Sequence, residues 1–306
     1  MSKNVAEVLN LLKTEVLKCF NSEQAQIILN KYIDGLSDDY LSDYTIEQIM
    51  GDLNKFEYLS ENNQYAIEIM RDDVVGSKLW RIKLLKLNDQ VSLSRGLPII
   101  ENFGVKLIEE YPYHLKVAGG IDIHVCDFGV EVPNELCMSN VATIEALKDA
   151  VIAAFNRRLE NDSLNKLVLF SGLNLHEVSL LRAITQYLVQ TALPFSRQYM
   201  AECLCNHGQI ARNLYLYFDA RFNVESHDLV RAAAIHKQII SELEKVSSLD
   251  EDRILKSYLS VIDAMLRTSF YQQSIRESKG GKFRKGSWGL IAIFGSGPFV
   301  PSGIAE

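Results

Sequence analysis

The densest set of potential metal ligands in the sequence is Cys203-Leu-Cys205-Asn-His207. Thiolate and imidazole are ligands that zinc commonly takes in proteins. On a helix, however, positions i and i+2 point about 200° apart, so both sulfurs could bind one ion only if the helix ended there. No second Cys or His cluster lies nearby in the sequence to complete a tetrahedral site. We therefore interpret these cysteines as buried thiols and predict no metal site.

A second set of reactive groups is the carboxylate run Asp250, Glu251 and Asp252, which follows closely on Ser248. Neighbouring carboxylates could act as general acid and base. The spacing also fits a helix start, in which Ser248 caps the first turn and Glu251 bonds back to the free N–H of Ser248. Acidic groups in a first turn also interact favourably with the positive end of the helix dipole. We therefore interpret the run as a helix start.

The six histidines are dispersed along the chain. His124 and His176 have no Ser, Cys or paired carboxylate at a spacing that indicates nucleophilic catalysis. We expect the histidines to have structural or surface roles. The sequence therefore predicts no catalytic residue.

The sequence also contains no segment that we interpret as a cofactor-binding motif. The segment Gly289-Leu-Ile-Ala-Ile-Phe-Gly-Ser-Gly-Pro298 could be a strand leading into a dinucleotide-binding glycine turn. That fingerprint requires a third glycine where this chain has Val300, and a helix that holds the pyrophosphate, which Pro298 and Pro301 disfavour. Lys279-Gly-Gly281 is too short a motif to identify an active site. We predict no cofactor-binding residue in this chain.

The elements that position these residues fall into two patterns. Residues 4–34 and 44–59 have apolar residues every three or four positions and are predicted to be helical. Asn88 with Asp89 can cap a further helix that ends near Gly104. Alternating hydrophobicity predicts strands at 65–70, 79–87, 105–117 and 121–132. This order predicts an α+β fold with an antiparallel, ferredoxin-like sheet that helix covers on one face.

From Val141 onward, helical periodicity replaces the strand pattern. Asn174, followed three places later by Glu177, fits a capping box, as does the Ser248 start. Near the end of the chain, residues 288–294 could form a short strand. The predicted helices are 141–160, 164–171, 175–191, 196–206, 207–221, 225–246 and 249–273. A mostly α-helical domain is therefore expected after the sheet.

Composition excludes several classes of protein. The chain has 306 residues, of which 47% are hydrophobic and 23% charged, so it can bury a core. Its net charge of −7 argues against nucleic acid as a partner. The apolar runs are shorter than the roughly 18 residues that a membrane span needs, so we expect no membrane partner. Five scattered cysteines indicate reduced thiols, and we expect a cytoplasmic protein.

One family resemblance is carried by several short motifs in a fixed order. Val246-Ser-Ser-Leu-Asp-Glu-Asp-Arg-Ile-Leu255 is followed by Leu266-Arg-Thr-Ser-Phe270. Earlier motifs include Val91-Ser-Leu-Ser-Arg-Gly-Leu-Pro98, Glu109-Glu-Tyr-Pro-Tyr113, Leu180-Leu-Arg-Ala183 and Pro194-Phe-Ser-Arg-Gln-Tyr199. The whole series of similar blocks, of which these are the clearest, covers most of residues 20–272. The series resembles the non-catalytic N-terminal and central part of the large bacterial NAD-dependent glutamate dehydrogenases.

The resemblance implies both a fold and an activity. It implies that the sheet is an ACT-like domain, and that the full-length family converts L-glutamate to 2-oxoglutarate and ammonia while reducing NAD. The likeness ends near Gln272, so the resemblance implies that the dehydrogenase core, with its catalytic lysines and NAD-binding fold, lies outside this chain. A separate or missing dehydrogenase catalytic region is then the expected partner, and a homo-oligomer is possible.

The domain organisation follows from the same likeness. We expect an N-terminal helical segment at 1–60, an ACT-like α+β domain at 61–135 and a helical domain at 136–275. A Gly-rich tail at 276–306 lies outside the family likeness, and we expect it to be poorly anchored.

A ligand site is implied only by the ACT-like likeness. Such domains commonly bind amino acids where the loop after the first strand meets a helix N-terminus. In this chain that loop is Leu87-Asn88-Asp89-Gln90-Val91-Ser92, which follows the predicted strand 79–87. Asn88 and Ser92 could hydrogen-bond an amino acid, but Asp89 would repel its carboxylate, and capping of the helix is the favoured role.

Two functions of different classes remain open. The chain is either a regulatory and scaffolding part of an NAD-dependent glutamate dehydrogenase, or a stand-alone amino-acid sensor or helical interaction module left from a truncated gene. The reading frame directly downstream discriminates between them, because only the first requires that it encode the catalytic core.

Overall fold

The computed structural model describes residues 5–72, 77–133, 138, 140–191, 193–271 and 292–294. It has two compact units. The first unit comprises Met1–Glu101 with Val105–Pro133, and the second comprises Asn102–Gly104 with Asn134–Glu306.

Four helices begin the first unit. They are α1 (Val5–Cys19), α2 (Ser22–Tyr32), α3 (Asp38–Asp43) and α4 (Ile46–Tyr58). The single helix predicted over residues 4–34 is wrong, because Asn21 has an extended backbone and its side chain accepts the N–H of Gln24. That cap starts a second helix. The helix predicted at 44–59 is confirmed as α4, and Thr45 caps it in a complete capping box with Gln48.

The sheet of the first unit has four antiparallel strands. They are β1 (Tyr65–Arg71), β2 (Trp80–Leu87), β3 (Lys106–Val117) and β4 (Ile121–Glu131), in the order β1-β2-β4-β3. Helix α5 (Leu93–Glu101) connects β2 to β3, and β4 lies between those two strands. This is the split βαβ arrangement of ferredoxin-like folds. The predicted α+β class with an antiparallel ferredoxin-like sheet is confirmed.

Helices cover both faces of the sheet, whereas the sequence led us to expect one covered face. Leu85, Leu115 and Val125 share a buried core with α1–α4. On the other face Gly96 of α5 lies against Phe128, such that a Cβ on Gly96 would be 3.5 Å from the ring. Because both faces are covered, β1, β2 and β4 are richer in buried residues than simple alternation predicts, whereas the edge strand β3 is more exposed.

A buried ion pair lies within the first unit. The Nζ of Lys83 on β2 is 2.7 Å from a carboxylate oxygen of Asp52 on α4, and the side chains are 0% and 1% exposed. The Tyr40 hydroxyl donates to the same Asp52 oxygen. The Lys83 ammonium also lies 3.5 Å from the ring centroid of Tyr44. The two buried charges therefore neutralise each other, and each also contacts a tyrosine.

The second unit is mostly helical, as expected. A 3-10 turn at Ser163–Lys166 precedes its second helix. Its helices are α6 (Val141–Phe155), α7 (Leu167–Ser171), α8 (Leu175–Gln190), α9 (Arg197–Asn206), α10 (Gly208–Phe222), α11 (Leu229–Leu243) and α12 (Leu249–Ala264). The capping box of Asn174 and Glu177 at α8 is confirmed.

The last helix is shorter than predicted. We expected it to run to residue 273, but α12 ends at Ala264 and β5 (Met265–Thr268) follows. The strand pairs with β6 (Ala292–Phe294), which lies within the predicted strand 288–294. Where the helix ends, Arg221 donates to the carbonyl oxygens of Ile262 at 2.6 Å and of Asp263 at 3.4 Å, and the Ile262 oxygen also accepts the N–H of Met265. The rest of the 276–306 tail lies outside the described residues.

The helices are short. The longest of the described ones, α8 and α12, have 16 residues each, and a membrane span needs about 20 apolar residues. Within the part of the chain that the structure describes, none is long and apolar enough to cross a membrane.

A close backbone approach in the first unit generates one prediction. A Cβ on Gly35 would lie 2.1 Å from the backbone oxygen of Lys116. We expect Gly35→Ala to lower the free energy of unfolding by about 1–3 kcal/mol, since backbone must move to relieve the overlap. Gly51 in α4 is the control, because its nearest neighbour would be 3.8 Å away. Gly51→Ala should stabilise by about 0.5–1 kcal/mol. Urea denaturation followed by circular dichroism measures both, and equal effects would contradict the argument.

The buried ion pair generates a second prediction. Lys83→Met should destabilise the protein by about 3–5 kcal/mol, because it leaves the Asp52 carboxylate buried without its cation. Lys13→Met, at an exposed position of α1, is the control and should have little effect. The double variant Asp52→Leu/Lys83→Met should be clearly more stable than Lys83→Met in the same urea denaturation. A double variant at least as unstable as Lys83→Met would show that the isolated charge is not the cause.

Candidate functional site

Asn88, the first of the two predicted ligand-binding residues, lies at the end of β2. Its backbone is in the left-handed region, with φ of 62°. Its N–H donates to the Asp122 carbonyl oxygen at 2.7 Å, and its side-chain oxygen accepts the Asp122 N–H at 3.3 Å. Asn88 therefore ties the end of β2 to the start of β4. It does not cap α5, as the sequence had suggested for Asn88 and Asp89, because that helix begins only at Leu93.

Ser92, the second predicted residue, is exposed and directly precedes α5. Its carbonyl oxygen accepts the N–H groups of Arg95 and Gly96, at 3.0 and 2.9 Å, and its hydroxyl accepts from Ser94. Between the two residues, Asp89 pairs with Lys86, whose hydrogen bond and charge lower the pKa of that carboxyl. A negative charge is therefore held in the loop, which disfavours a ligand carboxylate.

The two histidines that the sequence singled out both stack on other rings. His124 lies parallel to His114 with centroids 4.5 Å apart, and His176 stacks on Phe270 at 3.9 Å. Burial lowers the pKa of both histidines. Each is thus kept neutral at physiological pH and contributes ring packing.

The sequence did not predict a polar cleft in the first unit. The cleft has a volume of about 440 Å³. It lies where the α3–α4 turn meets β2, β3, the middle of β4 and the end of β1. Its lining residues are Asp43, Tyr44, Thr45, Gln48, Met70, Arg71, Asp72, Arg81, Glu109, Tyr111, Tyr113 and Asp127. The only sequence signal was the presence of charged residues on strands that are otherwise apolar.

Arg81 organises the floor of this cleft. Its Nε donates to Asp127 at 2.9 Å, and its Nη1 donates to Glu109. Burial alone would lower the pKa of Arg81, but the hydrogen bonds and charges of Asp127 and Glu109 outweigh burial and raise it. Gly129 leaves room for this pair, since a Cβ there would lie 2.6 Å from the Glu109 Cγ.

The tyrosines of the cleft are hydrogen-bond donors. Tyr44 donates to Asp127, and Tyr113 donates to Asp43 at 2.8 Å. Burial, followed by the nearby carboxylates, raises the pKa of Tyr44, and burial with the Asp43 hydrogen bond raises that of Tyr113. Both hydroxyls therefore stay protonated at neutral pH. The arrangement can hold polar groups in place, but these tyrosines are not available as bases.

In the second unit, the structure brings together residues that the sequence analysis treated separately. The Glu251 N–H donates to the Ser248 hydroxyl, so the predicted cap at Ser248 is confirmed. The return bond predicted from Glu251 to the Ser248 N–H is wrong. The Glu251 carboxylate, however, faces His207, with Oε2 3.0 Å from Nε2, and also accepts from Asn206. Cys203 Sγ lies within 4.8 Å of these ligand atoms. The third group beside Cys203 and His207 was missed because it lies 44 residues further along the chain than His207.

Burial affects the cysteines of this unit. It raises the pKa of Cys203 and of Cys205 to about 12 each, and the Glu251 charge adds to the effect at Cys203. Cys205 donates instead to the Ser163 carbonyl oxygen, 3.5 Å away. The two sulfurs thus point to different surroundings, as the i, i+2 spacing predicts.

Three family models match different parts of the chain. Residues 64–144 match the ACT3 domain of glutamate dehydrogenase, and residues 159–224 match its helical motif 3. Residues 238–283 match the catalytic domain of bacterial NAD-glutamate dehydrogenase. The likeness therefore extends to residue 283, beyond the end near Gln272 that we expected. The motif Val246–Leu255 lies within the catalytic-domain match, whereas the sequence analysis assigns it to a non-catalytic part.

Three curated relatives are similar over most of this chain, and all three are NAD-specific glutamate dehydrogenases. The protein of Pseudomonas aeruginosa is 34% identical over 226 residues, which are 72% of this chain and 14% of the relative. That of Halomonas elongata is 29% identical over 83% of this chain and 16% of the relative. That of Mycobacterium tuberculosis is 28% identical over 78% and 15%.

The chain thus spans about a seventh of the length of these relatives. The matched models follow one another along the chain in the order ACT3 domain, helical motif 3 and catalytic domain. The sheet of the first unit falls within the ACT3 match, α7 to α10 of the second unit fall within the helical-motif match, and α12 falls within the catalytic-domain match. The chain belongs to the family of the bacterial NAD-specific glutamate dehydrogenases.

Proposed function

We propose that this chain is a regulatory and scaffolding part of an NAD-dependent glutamate dehydrogenase, and that it acts with a dehydrogenase catalytic region. The observation that carries the proposal is the extent of the matches. The ACT3 and helical-motif models match 64–144 and 159–224, whereas the catalytic-domain model matches only 238–283. In this proposal the catalytic region binds NAD and converts L-glutamate to 2-oxoglutarate and ammonia.

The chemistry of the described residues supports a structural role. Lys83 is buried and paired with Asp52, so its ammonium group cannot reach a substrate. Arg81 is held between two carboxylates, and the cleft tyrosines remain protonated. These groups stabilise the first unit. In this proposal the residues that deprotonate glutamate, and those that hold the NAD that accepts the hydride, belong to the catalytic region. The proposal includes a cytoplasmic location and a homo-oligomeric enzyme.

A second candidate function is a stand-alone amino-acid sensor or interaction module. The exposed Ser92 at the start of α5 favours it, because an N-terminal helix turn can hold a carboxylate. Against it, the side-chain oxygen of Asn88 already accepts the Asp122 N–H. The reading frame directly downstream separates the two candidates, since the first requires that it encode the catalytic core.

The first proposal predicts that the purified chain forms no NADH from glutamate and NAD. The full-length Pseudomonas aeruginosa relative in the same absorbance assay is the positive control. Addition of the chain to a separately expressed catalytic region should raise the activity or stability of that region. NADH formation that depends on both glutamate and the concentration of this chain alone would overturn the proposal.

The second candidate is tested by calorimetric titration of the chain with a panel of amino acids. We expect no saturable heat, because the Asn88 side chain is occupied and the Asp89 charge lies in the loop. Saturable binding that both Asn88→Ala and Ser92→Ala abolish would establish the sensor instead. Ser94→Ala, which removes the neighbouring hydroxyl, is the matched control.

A further inference from the structure

The end of α9 places two metal ligands on one side of a helix. Cys203 and His207 are four residues apart, and such positions lie on the same face. The His207 N–H donates to the Cys203 carbonyl oxygen at 3.1 Å, so the turn that joins them is closed. The imidazole therefore lies next to the thiol.

The first turn of α12 supplies a third ligand. Glu251 Oε2 lies 3.0 Å from His207 Nε2, and Asn206 donates to Glu251 Oε1 at 3.3 Å. The sulfur, nitrogen and oxygen atoms all lie within 4.8 Å of one another. Cys203 is buried, whereas the side chains of His207 and Glu251 are 23% and 19% exposed. The cluster is thus enclosed on one side and open to solvent on the other.

We propose that Cys203, His207 and Glu251 bind a divalent cation of the zinc class, with water in the fourth position. Thiolate, imidazole and carboxylate are the three ligand types that zinc takes in proteins. Ligand atoms of a tetrahedral zinc site are about 3.5 Å apart. Side-chain rotations that move the ligand atoms by roughly 1 Å therefore bring them to this spacing. Zinc suits this mixed set better than magnesium or calcium, which prefer oxygen ligands alone.

The surroundings of the cluster fit an ion. Asn206 orients the Glu251 carboxylate from outside, which is the usual role of a residue that supports a metal ligand. When the ion binds His207 Nε2, the proton that this nitrogen shares with Glu251 is given up to solvent and the neutral ring carries its proton on Nδ1. The thiol proton of Cys203 also leaves to solvent. The ion then fixes the end of α9 to the start of α12.

The test uses the untagged chain of 306 residues, stripped of metal with a chelator. Zn²⁺ is titrated against a chromophoric chelator, and Co²⁺ is used as a spectroscopic substitute. We expect one Zn²⁺ per chain, visible Co²⁺ bands of a tetrahedral site and a thiolate-to-cobalt charge-transfer band. Zn²⁺ should also raise the Tm, since it binds the folded chain.

The variants separate the site from other thiols. Cys203→Ser should abolish the charge-transfer band, and His207→Gln and Glu251→Gln should each weaken Zn²⁺ binding by more than about tenfold. The two glutamine variants keep a hydrogen bond between α9 and α12, so they test ligation even if Cys203→Ser does not fold. Cys205→Ser is the matched control and should bind as the unmodified chain does. Absent Zn²⁺ binding, or binding that His207→Gln and Glu251→Gln leave unchanged, would overturn the proposal.

Discussion

The buried pair of Lys83 and Asp52 constrains the whole first unit. A charge that is 0% exposed must keep its partner, because its desolvation costs several kcal/mol. Asp52 is on α4 and Lys83 on β2, so the helix can shift along the sheet only by breaking the pair. Tyr40 of α3 donates to the same carboxylate, which ties a second helix to the same point. Apolar packing attracts these elements, and the ion pair fixes where they meet.

The polar cleft continues the same network towards solvent. Arg81 is two residues from Lys83 on β2, so both side chains point to the same face of the sheet. Asp127 pairs in register with Lys83, and its carboxylate accepts from Arg81 and Tyr44. The Arg81–Glu109 contact requires a glycine at position 129, because a Cβ there would overlap both side chains. The charges of Arg81, Asp127 and Glu109 are therefore explained by contacts within the unit, which agrees with the scaffolding role that we propose.

In the second unit, motifs that carry the family likeness also serve the architecture. Arg182, within Leu180–Ala183, donates to Asp162 through Nε and Nη2 at 2.9 Å each, and to Asn165 at 2.8 Å. The acidic motif at the start of α12 caps that helix through Ser248 and directs Glu251 to the end of α9. The residues that these motifs share with the dehydrogenases thus hold the helices together. That role does not require that these residues react.

The sequence by itself determined the family, the α+β class and most helix starts. Capping at Thr45 and Asn174 involves residues three apart, and periodicity reports which face of an element is apolar, so both are readable locally. Only the tertiary structure decided which charges meet. Lys83 and Asp52 are 31 residues apart, and His207 and Glu251 are 44 apart. Such contacts depend on how the elements pack, and no local pattern records that arrangement.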